Sequence, residues 1–108
     1  MKNISREELK KMMDSNGQVV LVEVLPPDYF NDFHLPGAIN VPVGDDFEQK
    51  IQEAVPDKSQ SVVVYCANTQ CPASVRAAEK MDALGYQNVY DYEDGKEDWQ
   101  QAGEPTES

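Results

Sequence analysis

Two uninterrupted apolar runs constrain this chain more than any other feature. Val19-Val20-Leu21-Val22 and Val62-Val63-Val64-Tyr65 lack the in-out alternation of a strand with one wet face. Continuous apolarity over so few residues is the pattern of a strand covered on both sides, as in parallel sheets. Segments of helical periodicity stand around them: Leu9, Met12 and Met13, then Phe47, Ile51 and Val55, then Val75, Ala78, Met81 and Leu84. Shorter strands are expected at 38–41 and 88–92. Strands alternating with helices specify an α/β fold, an open parallel sheet with helices on both faces.

The punctuation agrees with that reading. Ser5 is a good N-cap, Glu8 completes a capping box, and Ile4 and Leu9 are placed for a hydrophobic staple. Gly17 is expected as the C′ residue of the first helix and Gly85 as that of the helix over 74–84. Pro26-Pro27 stops a strand and opens a short helix over 28–33. His34-Leu35-Pro36-Gly37 turns the chain, and Pro42 ends the next strand. Asp45 or Asp46 caps the following helix. Gly95 breaks the last strand, ahead of a short helix over 96–102 carrying Trp99. The whole chain, 1–108, reads as one domain, with 104–108 expected to fray.

The formal net charge is −11. Such a surface disfavours nucleic acid and anionic membranes as partners. Acidic residues gather at 45–48 and at Asp91, Glu93, Asp94, Glu97 and Asp98. They read either as a solvated surface or as a docking face for a basic partner protein. No stretch approaches the ~20 apolar residues of a membrane span. The first residues lack the apolar core of a secretory signal, so the expected localisation is cytoplasmic. Two cysteines are too few for a disulfide scaffold. Together with His34, the sole histidine, they make a poor match to zinc spacing, so no metal is expected.

Cys66 ends the second apolar run. A polar stretch follows, Ala67-Asn68-Thr69-Gln70-Cys71-Pro72-Ala73, and then the helix. A thiol at the carboxyl end of a buried strand, before a helix N-terminus, is where α/β folds place reactive groups. Loop N–H groups and the helix dipole favour an anion there, and a thiolate is one. The plainer alternative is a buried structural cysteine.

Four segments in order resemble the single-domain rhodanese family of sulfurtransferases. Phe33-His34-Leu35-Pro36-Gly37-Ala38-Ile39-Asn40-Val41-Pro42 is similar to the family's GHIPGAINVP. The run 62–66 resembles the strand bearing the catalytic cysteine, and 74–85 resembles the helix after its loop. Gly95, Trp99, Gly103 and Pro105 match the closing pattern. The resemblance implies a rhodanese-like parallel sheet of about five strands. It also implies a catalytic Cys66 that takes sulfur from a donor such as thiosulfate or a polysulfide, holds it as a persulfide, and passes it to a thiophilic acceptor. The backbone amides of Ala67, Asn68, Thr69, Gln70, Cys71, Pro72 and Ala73 would cradle the anion and lower the thiol pKa. No cofactor is implied. The partners implied are a small sulfur-containing anion or persulfide donor and an acceptor protein.

The chain departs from the family at three points. The family's loop arginine is missing, and Arg76 lies a helical turn further on. That counts against the phosphate clamp of related phosphatases. Glu23-Val24-Leu25 stands where the family has Asp-Val-Arg. The loop is about two residues longer than usual, unless the helix starts at Pro72. Cys71 reads as a resolving thiol or as a packed one. His34 reads as structural at its turn, Trp99 as core, and Asp94 as bordering the pocket. Two further readings remain beside the sulfurtransferase: a Cys66/Cys71 dithiol–disulfide redox protein, and a catalytically weak binding module.

Overall fold

The computed structural model describes residues 1–15 and 18–108. The C′ position expected at Gly17 lies outside the described residues. Five parallel strands form one sheet: β1 (Lys2–Asn3), β2 (Val19–Glu23), β3 (Ile39–Asn40), β4 (Ser61–Tyr65) and β5 (Asn88–Tyr92). Their spatial order is β1-β5-β4-β2-β3. The helices are α1 (Arg6–Asp14), α2 (Pro27–Asp32), α3 (Phe47–Ala54), α4 (Ala73–Ala83) and α5 (Gly95–Gln101).

Each apolar run became a strand because helices cover both of its faces. Val62 and Val64 join Val22 and Val89 under Phe47, Ile51, Ala77, Ala78 and Met81 of α3 and α4. Val63 and Tyr65 join Leu21 and Tyr92 on the opposite face, under Leu9 of α1 and Trp99 of α5. The capping box of α1 forms as expected: Glu8 N–H donates to Ser5 Oγ at 3.2 Å, and Ser5 N–H donates to Glu8 Oε1 at 3.0 Å. Asp46 occupies the N-cap of α3, but its side chain caps nothing and pairs with Lys50 instead. Among the described residues, no helix is long and apolar enough to cross a membrane.

One strand lies outside the sequence reading, and two expectations need correcting. The strand at Lys2–Asn3 has no sequence signal, since two exposed residues carry no periodicity; β5 recruits it in parallel register. The tail does not fray. Trp99 Nε1 donates to the Pro105 carbonyl at 2.8 Å, and His34 and Glu107 exchange backbone hydrogen bonds at 2.8 and 2.9 Å. Asp91 is not part of an acidic surface. The two-residue period of β5 turns it to the same face as Val89, where it is fully buried.

β4 is the central strand. The connection after β4 leads to β5 on one side, and the connection after β2 leads to β3 on the other. Ligand crevices of open α/β sheets form at the carboxyl ends of two such diverging strands. Cys66 follows β4 at that point.

Candidate active site

Tyr65 and Glu23 end β4 and β2 in register, so Cys66 emerges beside Val24. The loop 66–72 then runs to α4, which begins at Ala73 with Pro72 just before it. This start lies between the two that the sequence left open.

The loop is held from the far side by α5. Lys96 N–H donates to the Cys66 carbonyl at 2.9 Å, and Glu97 N–H to the Ala67 carbonyl at 3.0 Å. These first-turn donors have no partner within their own helix. The loop carbonyls satisfy them, and the loop is anchored in return. Gly95 makes the approach possible. Its φ is +78°, and a Cβ there would stand 2.5 Å from the Ala67 carbonyl carbon.

Asn68 folds the loop back on itself. Its Oδ1 accepts from Gln70 N–H at 2.9 Å, and its carbonyl accepts from Cys71 N–H at 3.2 Å. Its Nδ2 donates to Glu97 Oε1 at 3.2 Å. Thr69 and Gln70 form the exposed tip. The chain returns so that the Cys66 thiol donates to the Cys71 carbonyl at 3.3 Å and lies 3.6 Å from Ser74 Oγ.

This geometry bears on three positions of the expected cradle, Gln70, Cys71 and Pro72. Pro72 has no N–H to offer. The amides of Gln70 and Cys71 are occupied by Asn68. The thiolate is favoured by Ser74, through its hydroxyl and backbone N–H. The sequence marks Ser74 only as a helix residue; its place in the first turn of α4, 3.6 Å from the thiol, is what gives it this role. The thiol is not acidic at rest. Burial, at 1% exposure, pushes Cys66 up to about 11; the Cys71 side chain adds to the rise, and Ser74 opposes it.

Behind the loop lie two buried carboxyls that sequence reasoning did not place. Glu23 is fully buried, with Oε2 accepting from Lys96 Nζ at 3.0 Å. The same ammonium donates to the carbonyls of Tyr29 at 2.5 Å and Phe33 at 2.7 Å. Burial raises the Glu23 pKa, and Lys96 opposes the rise. Lys96 thus ties β2, α2 and α5 together. Asn40 adds a second tie, its Nδ2 donating to the carbonyls of Glu23 at 3.0 Å and Leu25 at 2.8 Å. Leu25, where the family has arginine, packs into the core. Asp91 is the other carboxyl. Among the described residues neither of its oxygens has a hydrogen-bond partner; burial dominates and raises its pKa, and Ser74 is near enough to oppose the rise.

The remaining candidates sort plainly. His34 stacks on Phe30 with ring centroids 3.8 Å apart, and its Nδ1 bonds the Phe30 carbonyl at 2.8 Å, a structural role. Trp99 is core. Arg76 is exposed on α4. Asp94 borders a groove of about 250 Å³, shared with Asn68, Thr69, Glu97, Asp98 and Gln101, which Cys66 does not line.

A buried cysteine ending the central strand of such a sheet, on a loop clamped by two helices, defines a class of thiol-centred α/β domain. The family model of the rhodanese-like domain matches residues 5–102, and the chain belongs to that family. An HTH-type transcriptional regulator of Mycobacterium tuberculosis is 32% identical over 96% of this chain and 44% of its own length. A thiosulfate sulfurtransferase of Escherichia coli is 38% identical over 63% of this chain and 62% of its own length. The chain therefore spans less than two thirds of either relative. The solved rhodanese-like domain of an Anabaena protein superposes with a TM-score of 0.85 at 22% identity, covering 100% of this chain and 80% of that one.

Proposed function

We propose that the chain is a sulfurtransferase carrying sulfane sulfur as a persulfide on Cys66. The observation that supports this best is the thiol's position, at the end of the central strand and between Ser74 and the anchored loop. Its family and a sulfurtransferase relative agree. The Cys66 thiolate attacks the outer sulfur of a donor such as thiosulfate or a polysulfide, and with thiosulfate sulfite leaves. A thiophilic acceptor, cyanide or a thiol, then takes the sulfur.

The resting geometry sets the terms of that reaction. Sγ is buried, so a donor reaches it only when the exposed tip of the loop moves aside. A thiol held near 11 is almost wholly protonated at neutral pH, so activation accompanies that opening. Ser74 and the first turn of α4 supply the stabilising dipoles. No cationic side chain lies in the loop, and the adjoining groove carries Asp94, Glu97 and Asp98. Thiosulfate is then a slow donor, and a less charged persulfide a better one.

Intact mass after treatment of reduced protein with thiosulfate, and separately with polysulfide, tests the reading. Because Cys71 is a second thiol, the assay uses Cys71→Ser beside the wild type. One added sulfur atom on Cys71→Ser, removable by cyanide and absent once Cys66 is also changed to serine, is the expected result. No added sulfur from either donor overturns it.

A further inference from the structure

We propose that Cys71 resolves the Cys66 persulfide, so that the chain expels sulfide from its own site and is left with a Cys66–Cys71 disulfide. This rests on the persulfide reading above and names an acceptor inside the chain.

Three observations carry it. The turn built on Asn68 brings the second cysteine back over the first, with the Cys66 thiol 3.3 Å from the Cys71 carbonyl. Cys71 packs against the same apolar cluster as Cys66 yet stays half-exposed, and both cysteines are free thiols. An incoming reductant therefore meets Cys71 first, and sulfide leaves through the same loop opening that admits the donor. The loop is also anchored asymmetrically. Cys66 and Ala67 are fixed by α5, whereas the tip at Thr69 and Gln70 is exposed, so Cys71 can adjust toward a stationary Cys66.

The step balances. Loading by thiosulfate converts the Cys66 thiol to a persulfide and releases sulfite. The Cys71 thiolate then attacks Cys66 Sγ. The new bond joins the two cysteine sulfurs, and the bond from Cys66 Sγ to the outer sulfur breaks. The outer sulfur leaves with the electron pair as hydrosulfide and takes up a proton from water. The sulfane sulfur is reduced to sulfide while the two cysteines are oxidised to the disulfide. A monothiol or dithiol reductant restores both thiols by exchange.

The test treats reduced wild type, Cys71→Ser and Cys71→Ala with thiosulfate, which brings no sulfide of its own, and follows sulfide release and intact mass without added acceptor. Desalted, polysulfide-treated samples are weighed in parallel. Wild type is expected to release one sulfide per chain and lose two hydrogens, about tenfold or more faster than either variant releases sulfide. Both variants should hold the extra sulfur until a thiol is added. A wild-type persulfide as long-lived as that of the variants, or a disulfide without matching sulfide, overturns the resolving role and leaves the Cys66 persulfide standing. If neither variant gains sulfur from either donor, the persulfide reading itself fails, and the resolving role with it.

Discussion

Gly95 and Ala67 lie in backbone contact: a Cβ on Gly95 would sit 2.5 Å from both the carbonyl carbon and oxygen of Ala67, and 2.6 Å from Asn68 N. The glycine is thus required twice, for its positive φ and for the absence of a side chain. Gly95→Ala must push the Cys66 loop off α5 and break the bonds from Lys96 and Glu97. We expect a loss of about 2–3 kcal/mol in stability. Loading of Cys66 should fall by up to about 100-fold, as misplacement of a reacting group by an ångström does. Thermal melts and thiosulfate loading rates check both; a variant that loads at the wild-type rate would show that the clamp is dispensable.

Lys96 is the buried counterpart of Glu23, and its removal strands a carboxylate. Lys96→Met should destabilise the fold by about 3–5 kcal/mol. The deficit should shrink as pH falls, because protonating Glu23 removes the uncompensated charge. Lys96→Met combined with Glu23→Gln should recover part of the loss. Denaturant unfolding of the single and double variants at pH 5 and pH 8 measures this, and a deficit that does not change with pH would argue that the lost bonds to Tyr29 and Phe33 dominate.

What the sequence disclosed and what it hid divide along a physical line. Val62-Val63-Val64-Tyr65 announced a buried strand, and Ser5 with Glu8 announced a helix start, because both signals lie within a few residues. Cys66 stood out for the same reason. The Glu23–Lys96 pair joins residues 73 positions apart, and Lys96 reads in sequence as one charge among Glu93, Asp94, Glu97 and Asp98. Only the docking of α5 behind the loop brings it inside. The elevated thiol pKa was hidden too. Strand-end position suggests a dipole that lowers it, but burial and the turn at Asn68 depend on how the loop closes.

Asp91 carries a cost that pH should reveal. Its pKa is raised by burial, so the folded state binds a proton more tightly than the unfolded chain does. The sign follows: stability falls as pH rises from the unfolded carboxylate value to the folded one, and the penalty stays constant above that. Asp91→Asn should therefore flatten the decline in melting temperature above about pH 4. Asp91→Val, which fits beside Val64 and Val89, should stabilise the fold at neutral pH by about 1–3 kcal/mol. Parallel pH profiles of unchanged slope would mean that Asp91 is solvated in solution.

Cys66 should alkylate slowly near neutrality. With its thiol pushed up to about 11, the rate should climb roughly tenfold per pH unit from 7 to 9.5 without levelling near the ordinary thiol value of about 8.5. Measuring this in Cys71→Ala isolates the thiol. That substitution removes one upward contribution, but burial, the largest, remains, so the profile should still lie above a free cysteine's. Mass-resolved iodoacetamide kinetics across that range give the answer, and a rate that levels by about pH 9.5, a unit above the ordinary thiol value, would place the loop open in solution.

Charge should oppose thiosulfate more than it opposes neutral donors. The chain carries −11, and the groove beside the loop presents Asp94, Glu97 and Asp98. Asp98 is partly neutralised by Arg6, at 2.8 Å, which leaves Asp94 and Glu97 as the exposed pair. A dianionic donor approaching them is repelled over a distance that shrinks from about 30 Å at 0.01 M salt to about 8 Å at 0.15 M. The second-order loading rate with thiosulfate should therefore rise about two- to five-fold over that range. Asp94→Asn combined with Glu97→Gln should raise the low-salt rate and weaken the salt dependence. An uncharged organic trisulfide should load at a rate that salt leaves unchanged. If salt slows thiosulfate loading instead, a cationic group must meet the donor first, and among the groups near the loop that would direct attention to Arg76 on the first turns of α4.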